Sequence, residues 1–466
     1  MTPRTATLRQ GTAIALLLVA VLIAYYLLQQ FSRGNELGIV LPAAGALCGL
    51  ILLKPRIGLY AFCFTLVLIP YDWRIEGLKF TSANTLMVGA ALVAWGTSVA
   101  IRRRGLQLSV VILPLLVVVV VAWFNYFRYG SGFFNLPYVL TEAVLLFILA
   151  TQLIRTREQL EQLLLALALM TIVRNLMDLG VTIYSFQQGD VLGAIRQDRL
   201  LISGTSTTES EWRSLLLPLL AVGALFAKQR LVKLLLISAV FLDVAWLAFA
   251  ATRIGFLGIG ISAIAVLLVP PREQRANSMR LVIPGVIFVA LLMTVYSQSW
   301  VHIFSKTQED LFIGDISSGR WRIWEESLKG FWGNPWMGSV QGVKHSFLFH
   351  NAGSMGLVFM VPYVLAVFLI WRHLSYLRRQ DGDNASGSVI GMQGCLLVVT
   401  VLSVVGYFLN SGINAFFFWT IAGAFEGYYL QRRKDRRTEV VSVAQRYFPQ
   451  IRFRRRGRVS AGGVVP

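Results

Sequence analysis

Two of the four histidines in this chain of 466 residues stand five residues apart in the stretch KHSFLFHNAGSMG, residues 344–356. Histidines this close admit three uses: a metal pair, a catalytic base, or packing at a membrane interface. A helical metal pair uses the spacing i, i+4, as in H-E-x-x-H. Five residues turn the second side chain by about 140° from the first, at 3.6 residues per turn. No cysteine or carboxylate lies within the stretch to complete a ligand set, so no metal is expected. A neutral imidazole near pH 7 is instead suited to take a proton from a sugar hydroxyl. By residue type alone His345 or His350 could do this, and a histidine that merely packs at an interface would have the same signature.

Arginines supply the complementary chemistry, because a planar guanidinium grips phosphate oxygens. Arg320 opens the stretch RWRIWEESLKGFWGNPWMG, in which Trp321, Trp324, Leu328 and Phe331 recur at spacings of three and four. Arg322, Glu325, Glu326 and Lys329 fill the other side. That pattern predicts an amphipathic helix of about three turns lying in the membrane interface. Ser317 or Ser318 can cap its start, and Gly333, Asn334 and Pro335 end it. Arg320 in its first turn is positioned for a lipid or substrate phosphate, with Arg322 as a second contact; a surface lid without chemistry is the plainer alternative. Arg253, in FAATRIGFLGIG, lies within about forty apolar residues. A charge at a helix centre costs about 2.5–3.5 kcal/mol, less near an interface. Arg253 is therefore expected at a hairpin on the outer surface, as an anion site or as a snorkelling side chain. Arg196 and Arg199 lie in loop 187–211 with a Ser/Thr run, fit either to bind sugar hydroxyls or phosphate or simply to solvate the loop. Arg174 and Asp178, one helical turn apart in an apolar run, are expected to neutralise each other. Glu142, Asp243 and Glu426 are further isolated intramembrane acids.

The elements that must position these residues are helices in a bilayer. The chain is 56% hydrophobic and 14% charged, against about 45–50% and about 25% in soluble chains. Its mean hydropathy is +0.64. Long apolar runs recur at 11–28, 37–53, 57–70, 83–101, 109–124, 136–154, 159–186, 212–227, 232–250, 254–269, 281–296, 353–371, 389–409 and 415–430. They predict an all-α, polytopic transmembrane helical bundle of about 12–14 spans, not a barrel of short alternating segments. Cys48, Cys63 and Cys395 all lie inside these runs and read as small core residues. Arg4 and Arg9 precede the first run, which reads as an uncleaved first span.

Charge sets the orientation. Lys54 and Arg56, then Arg102, Arg103 and Arg104, then Arg155 and Arg157, then Lys228, Arg230 and Lys233, fall in alternate connections. So do Arg272, Arg275 and Arg280, then Arg372, Arg378 and Arg379, and the basic residues of 432–437. Placing all of them in the cytoplasm leaves both termini inside. The net charge of +20 is thus a product of topology and no nucleic-acid partner is expected. Residues 1–430 form the transmembrane domain, with a large outward, periplasmic loop at 297–350 that carries amphipathic helix. Residues 431–466 form a basic cytoplasmic tail, read as disordered and held near anionic membrane lipids.

The ordered set Thr252-Arg253, Ser318-Gly319-Arg320 with Trp324, GNPWMG, and HSFLFHNAGSMGLVF resembles the O-antigen ligase and polymerase superfamily. These are bacterial inner-membrane glycosyltransferases acting on undecaprenyl-diphosphate-linked glycans. The ligase motif is H-[NSQ]-x9-G-x-x-[GTY]. His345 and Ser346 are followed by nine residues and then Gly356, and only Phe359 departs from the motif. Counting from Asn351 reaches Val361, so the count favours His345 over His350. The resemblance covers the second half of the chain. It implies a GT-C-type fold, no metal or other cofactor, and an active site facing the periplasm. By position Arg253 and Arg320 would hold the lipid diphosphate and His345 would activate the acceptor hydroxyl, with His350 and Asn351 packing or orienting sugar. A polymerase of O-antigen or exopolysaccharide is favoured over a ligase that transfers to lipid A-core, since ligases tend to have about twelve spans. Chain-length regulators and other polysaccharide assembly proteins are possible partners. From another class, a non-enzymatic flippase or transporter would instead need charges lining a central path.

Overall fold

The computed structural model describes residues 55–68, 92–97, 106–129, 135–187, 206–250, 252–295, 320–339, 346–381, 387–405 and 412–447, with single positions 49, 89, 99 and 409. For Arg253 and Arg320 the backbone alone is described. The expected spans 11–28 and 37–53, most of 83–101, and residues Arg196, Arg199 and His345 lie outside these segments. So do most of loop 187–211, residues 297–319 and the tail beyond 447.

Among the described residues there is no strand. The α-helices are α1 (Pro55–Leu68), α2 (Ile112–Tyr129), α3 (Asn135–Leu153), α4 (Arg157–Gln187), α5 (Ser206–Phe226) and α6 (Arg230–Ala250). They continue with α7 (Arg253–Leu268), α8 (Arg275–Val295), α9 (Arg320–Gly333), α10 (Phe347–Asp381), α11 (Gly387–Val405) and α12 (Gly412–Tyr447). Seven of the described helical stretches, in α2, α3, α4, α6, α8, α10 and α11, are long and apolar enough to cross a membrane. The protein is a multi-pass, all-α membrane protein. α1 has 14 residues, short of the roughly 20 a bilayer needs. α8 leaves Met279, Ile283, Ile287 and Leu291 exposed along one side, the apolar surface a helix turns to lipid.

α5 is central, packing on α6, α7 and α11, while α12 packs along α3 and α10 packs on α2, α9 and α11. The α3–α12 contact depends on Gly423 and Gly427. A β-carbon at Gly423 would strike the carbonyl of Phe147, and one at Gly427 the carbonyls of Ile154 and Thr151. Small residues at i, i+4 let the two backbones meet in this way.

Polar contacts knit the two ends of the bundle separately. At one end the Tyr60 hydroxyl donates to the Gln159 carbonyl, Gln152 pairs with the Gln107 backbone, and Arg155 Nε donates to the Gln152 carbonyl. Ser109 and His373 both reach Glu426 there, at 2.6 and 2.9 Å. Arg56, Arg155, Arg157, Arg372 and Arg433 accompany these residues in sequence and form a basic cluster at this end, while Arg128 in the last turn of α2 and Arg322 and Lys329 on α9 belong to the other. At the other end Ser210 pairs with Thr252 at 2.7 Å, Asn414 donates to Glu211 at 2.7 Å, and Ser346 donates to the Ser403 carbonyl at 3.3 Å.

Candidate functional site

The end away from the basic residues holds the starts of α7, α9 and α10. Thr252 caps α7: its side chain accepts from the Gly255 amide at 3.0 Å, so the helix opens at Arg253. Ser346 caps α10 in the same manner, accepting from the Phe349 amide at 3.2 Å. Each cap satisfies an amide that would otherwise be unpaired at a helix start.

Register places these starts at a common depth. α7 and α11 run antiparallel with Ala265 beside Gly394. From that crossing Arg253 is about 18 Å up α7, and Ser403 is about 14 Å up α11 at 1.5 Å per residue. Ser403 is the residue that receives the Ser346 hydroxyl. α9 runs parallel to the start of α10: the Trp324 ring meets Phe349 at 5.3 Å, and Ser327 lies against Gly353. Carrying that offset back four residues sets the backbone of Arg320 within about one residue of the depth of Ser346.

A break in α10 locks α9 in place. Gly356 has φ 63° and ψ −159°, a region essentially reserved for glycine. The break frees backbone groups, and the turn after α9 takes them up. The Leu357 and Val358 amides donate to the Pro335 and Trp336 carbonyls at 2.8 and 3.2 Å, and the Ser339 amide donates to the Gly353 carbonyl at 2.9 Å. Gly338, also at positive φ, sits against the backbone of Ser354. The GNPWMG turn and the glycine ending the H-[NSQ]-x9-G pattern are thus two halves of one joint.

α9 ends at Gly333 as its sequence predicts, while the expected serine cap lies outside the described residues; its packed face differs in part from the expected stripe. Ser327 and Gly330 are buried against α10, whereas Trp321 is 68% exposed and Leu328 also faces outward. Small residues allow the close approach at Gly353, with Trp324 packed beside them on Phe349, while Trp321 and Leu328 are left for the surface. Arg322 lies on that surface, 85% exposed, with its Nε 3.3 Å from Glu326. Lys329 and Glu325 pair at 2.7 Å. Their mutual hydrogen bond holds the Glu325 carboxyl below its usual range and the Lys329 ammonium above its own.

His350 and Asn351, expected to pack or orient sugar, are both buried in the first turns of α10. Asn351 is fully buried, yet neither its Oδ1 nor its Nδ2 has a hydrogen-bond partner. Such a group costs about 1–3 kcal/mol, and in native proteins it asks for an explanation. Of the remaining expected site residues, Arg253 and Arg320 are placed by backbone, and Arg196, Arg199 and His345 lie outside the described residues. No family model and no curated protein matches this chain.

The expected Arg174–Asp178 pair is present at 3.2 Å, within a larger network. Arg213, which hydropathy alone does not single out, is 0% exposed and donates to Asp178 at 2.6 Å, Asp243 at 2.8 Å and Asn175 at 2.7 Å. Its guanidinium also faces Trp212 and Trp246 at 4.6 and 4.2 Å from the ring centroids. This knot lies just below Ser210 and Glu211, under the capped start of α7. Among the described residues two cations meet two carboxylates here, and the network braces the floor of the site.

Proposed function

We propose that this protein transfers a glycan from undecaprenyl diphosphate to an acceptor hydroxyl at the periplasmic face of a bacterial inner membrane. One observation carries the reading: the chain positions at Arg253 and Arg320 and the cap that follows His345 start helices at one depth, at the end opposite the basic residues. With the basic end in the cytoplasm, as positive charge directs, that depth is the periplasmic surface. The finer topology of about 12–14 spans, both termini inside and loop 297–350 outside, belongs to the same reading.

The chemistry follows from the residue types. Arg253 and Arg320 bind the diphosphate oxygens and neutralise the charge that grows as the bond from the anomeric carbon to the diphosphate breaks. His345 takes the proton of the acceptor hydroxyl as its oxygen forms the new glycosidic bond. Undecaprenyl diphosphate leaves, and a single displacement inverts the anomeric carbon. Asn351 offers an amide to sugar hydroxyls, His350 packs beside it, and Arg322, Arg196 and Arg199 supply outer contacts to glycan. No metal is needed for this balance. Polymerisation of O-antigen or exopolysaccharide is favoured over ligation to lipid A-core by span number. A flippase would need intramembrane charges facing a central path, and the pairing of Arg174 and Arg213 with Asp178 and Asp243 favours the enzyme.

The test is transfer by purified protein from a defined lipid-linked oligosaccharide to lipid-linked and lipid A-core acceptors. His345→Ala is expected to slow transfer by about 10²–10⁴-fold, and a chelator should leave the rate unchanged. Parent-like turnover in His345→Ala refutes the base, and product length separates polymerase from ligase.

A further inference from the structure

At the opposite, basic end of the bundle a second site is built from three separate parts of the chain. Arg372, His373 and Leu369 from α10, Tyr429 and Arg433 from α12, and Val110 from the turn before α2 line a cavity of about 400 Å³. Its floor is rigid. Buried Glu426 receives the Ser109 hydroxyl at 2.6 Å and His373 Nδ1 at 2.9 Å. The His373 ring stacks on Tyr429 with centroids 3.9 Å apart and planes 10° from parallel. With Nδ1 committed to Glu426, the other ring nitrogen of His373 remains for a ligand. Arg372 and Arg433 have no carboxylate partner among the described residues. Two uncompensated guanidiniums beside one imidazole form an anion site, and planar guanidiniums prefer phosphate oxygens.

The rest of the lining is apolar. Val110 is 62% exposed, and Leu369 stands one turn before Arg372 on the apolar side. Both cations mark the place where apolar sequence stops: VPYVLAVFLIW gives way to RHLSYLRR in α10, and FEGYYL to QRRKDRR in α12. That is the depth of lipid headgroups. We infer that this cavity binds a phosphate ester, with the phosphate on Arg372, Arg433 and His373 and hydrocarbon along Val110 and Leu369, as an anionic phospholipid of the cytoplasmic leaflet would present them. A soluble phosphate ester shares the headgroup chemistry and lacks the hydrocarbon. The site is remote from the periplasmic face and does not depend on the transfer reaction proposed there.

The experiment counts phosphatidylglycerol molecules retained by the purified full-length protein in neutral detergent, by native mass spectrometry, over a background of phosphatidylcholine. The double variant Arg372→Gln/Arg433→Gln is expected to weaken retention by about tenfold or more, from the loss of charged hydrogen bonds. Arg436→Gln/Arg437→Gln removes the same charge one turn beyond Arg433 on α12, outside the cavity lining, and should retain lipid like the parent. Val110→Trp keeps every charge and fills the cavity, and it too should lose the lipid. Glycerol phosphate added in competition separates the sources: failure to displace the lipid assigns the site to phospholipid, and displacement at equal concentration assigns it to the headgroup alone. Equal losses in the two arginine doubles would reduce the effect to general surface charge and overturn the site. Parent-like retention in Val110→Trp or in Arg372→Gln/Arg433→Gln would overturn it as well.

Discussion

Arg213 offers the sharpest test of what holds the bundle together. Among the described residues Arg174, Arg213, Asp178 and Asp243 form one network, and Arg213 and Asp243 are both 0% exposed. Arg213→Met removes one positive charge and takes from Asp243 its guanidinium partner at a place that water cannot reach. Breaking one side of a buried pair costs about 3–5 kcal/mol. The two tryptophan faces lost with the guanidinium bring the expected destabilisation to about 4–6 kcal/mol. Arg213→Met/Asp243→Leu removes both members, and Arg174 still neutralises Asp178 at 3.2 Å. Replacing a buried pair by apolar groups is often close to neutral, so the double variant should recover most of the loss, leaving about 1–2 kcal/mol of imperfect packing. The assay is equilibrium unfolding in mixed micelles by titration with SDS, followed by tryptophan fluorescence. The decisive quantity is the stability the double variant regains over Arg213→Met, expected at about 3 kcal/mol. If the double variant is as damaged as Arg213→Met to within about 0.5 kcal/mol, or if Arg213→Met matches the parent, charge balance does not explain this network.

Three further outcomes follow from the geometry. Gly356→Ala must place a β-carbon at φ 63° against the Trp336 carbonyl, and is expected to cost at least about 1–3 kcal/mol in the same titration; a parent-like midpoint would show that the joint does not need glycine. Asn351→Leu relieves an unpaired buried amide and should raise stability by up to about 1–3 kcal/mol while slowing glycan transfer, so a loss of stability would mean that the amide is satisfied in the native state. The Glu325–Lys329 pair steadies α9 over a bounded pH window. Glu325 is depressed, so its contribution is present above the ordinary carboxylate range and vanishes as pH falls through its lowered value; Lys329 is raised, so its contribution persists until pH climbs through that raised value. Protection of the α9 amides, taken relative to the intrinsic exchange rate at each pH, should therefore fall on acidification in the parent more than in Glu325→Gln, and equal falls in both would refute the role of the pair.

Local signals carried the helices and little of what joins them. α9 was legible because capping serines, three- and four-residue periodicity and a Gly-Asn-Pro stop agree with one another. Its packed face was not, because Ser327 and Gly330 carry no hydrophobic signature and contact α10 by being small. Gly356 stood out in a motif count, yet the apolar run continues on both sides of it and conceals the break. Arg213 was hidden for a different reason. It falls at the edge of an apolar run, where a charge looks like an ordinary boundary, and its partners Asp243 and Asp178 are 30 and 35 residues away. Arg174 and Asp178 were found because they share one helical face. Depth could be inferred for Arg253 from the hairpin, but its alignment with the start of α10 comes through α11, which no local pattern connects to either.

The joint at Gly356 has a consequence for how this part of the protein can change. Three backbone hydrogen bonds and the facing glycines fasten the turn at 335–339 to α10, so the helix that begins at Arg320 and the one that follows Ser346 travel together as one piece. An exchange between homologous proteins that cuts between residues 339 and 346 would separate matched halves of a clasp. Chimeras with borders before 320 and after 358 keep the clasp whole, which makes that block the natural unit for recombination.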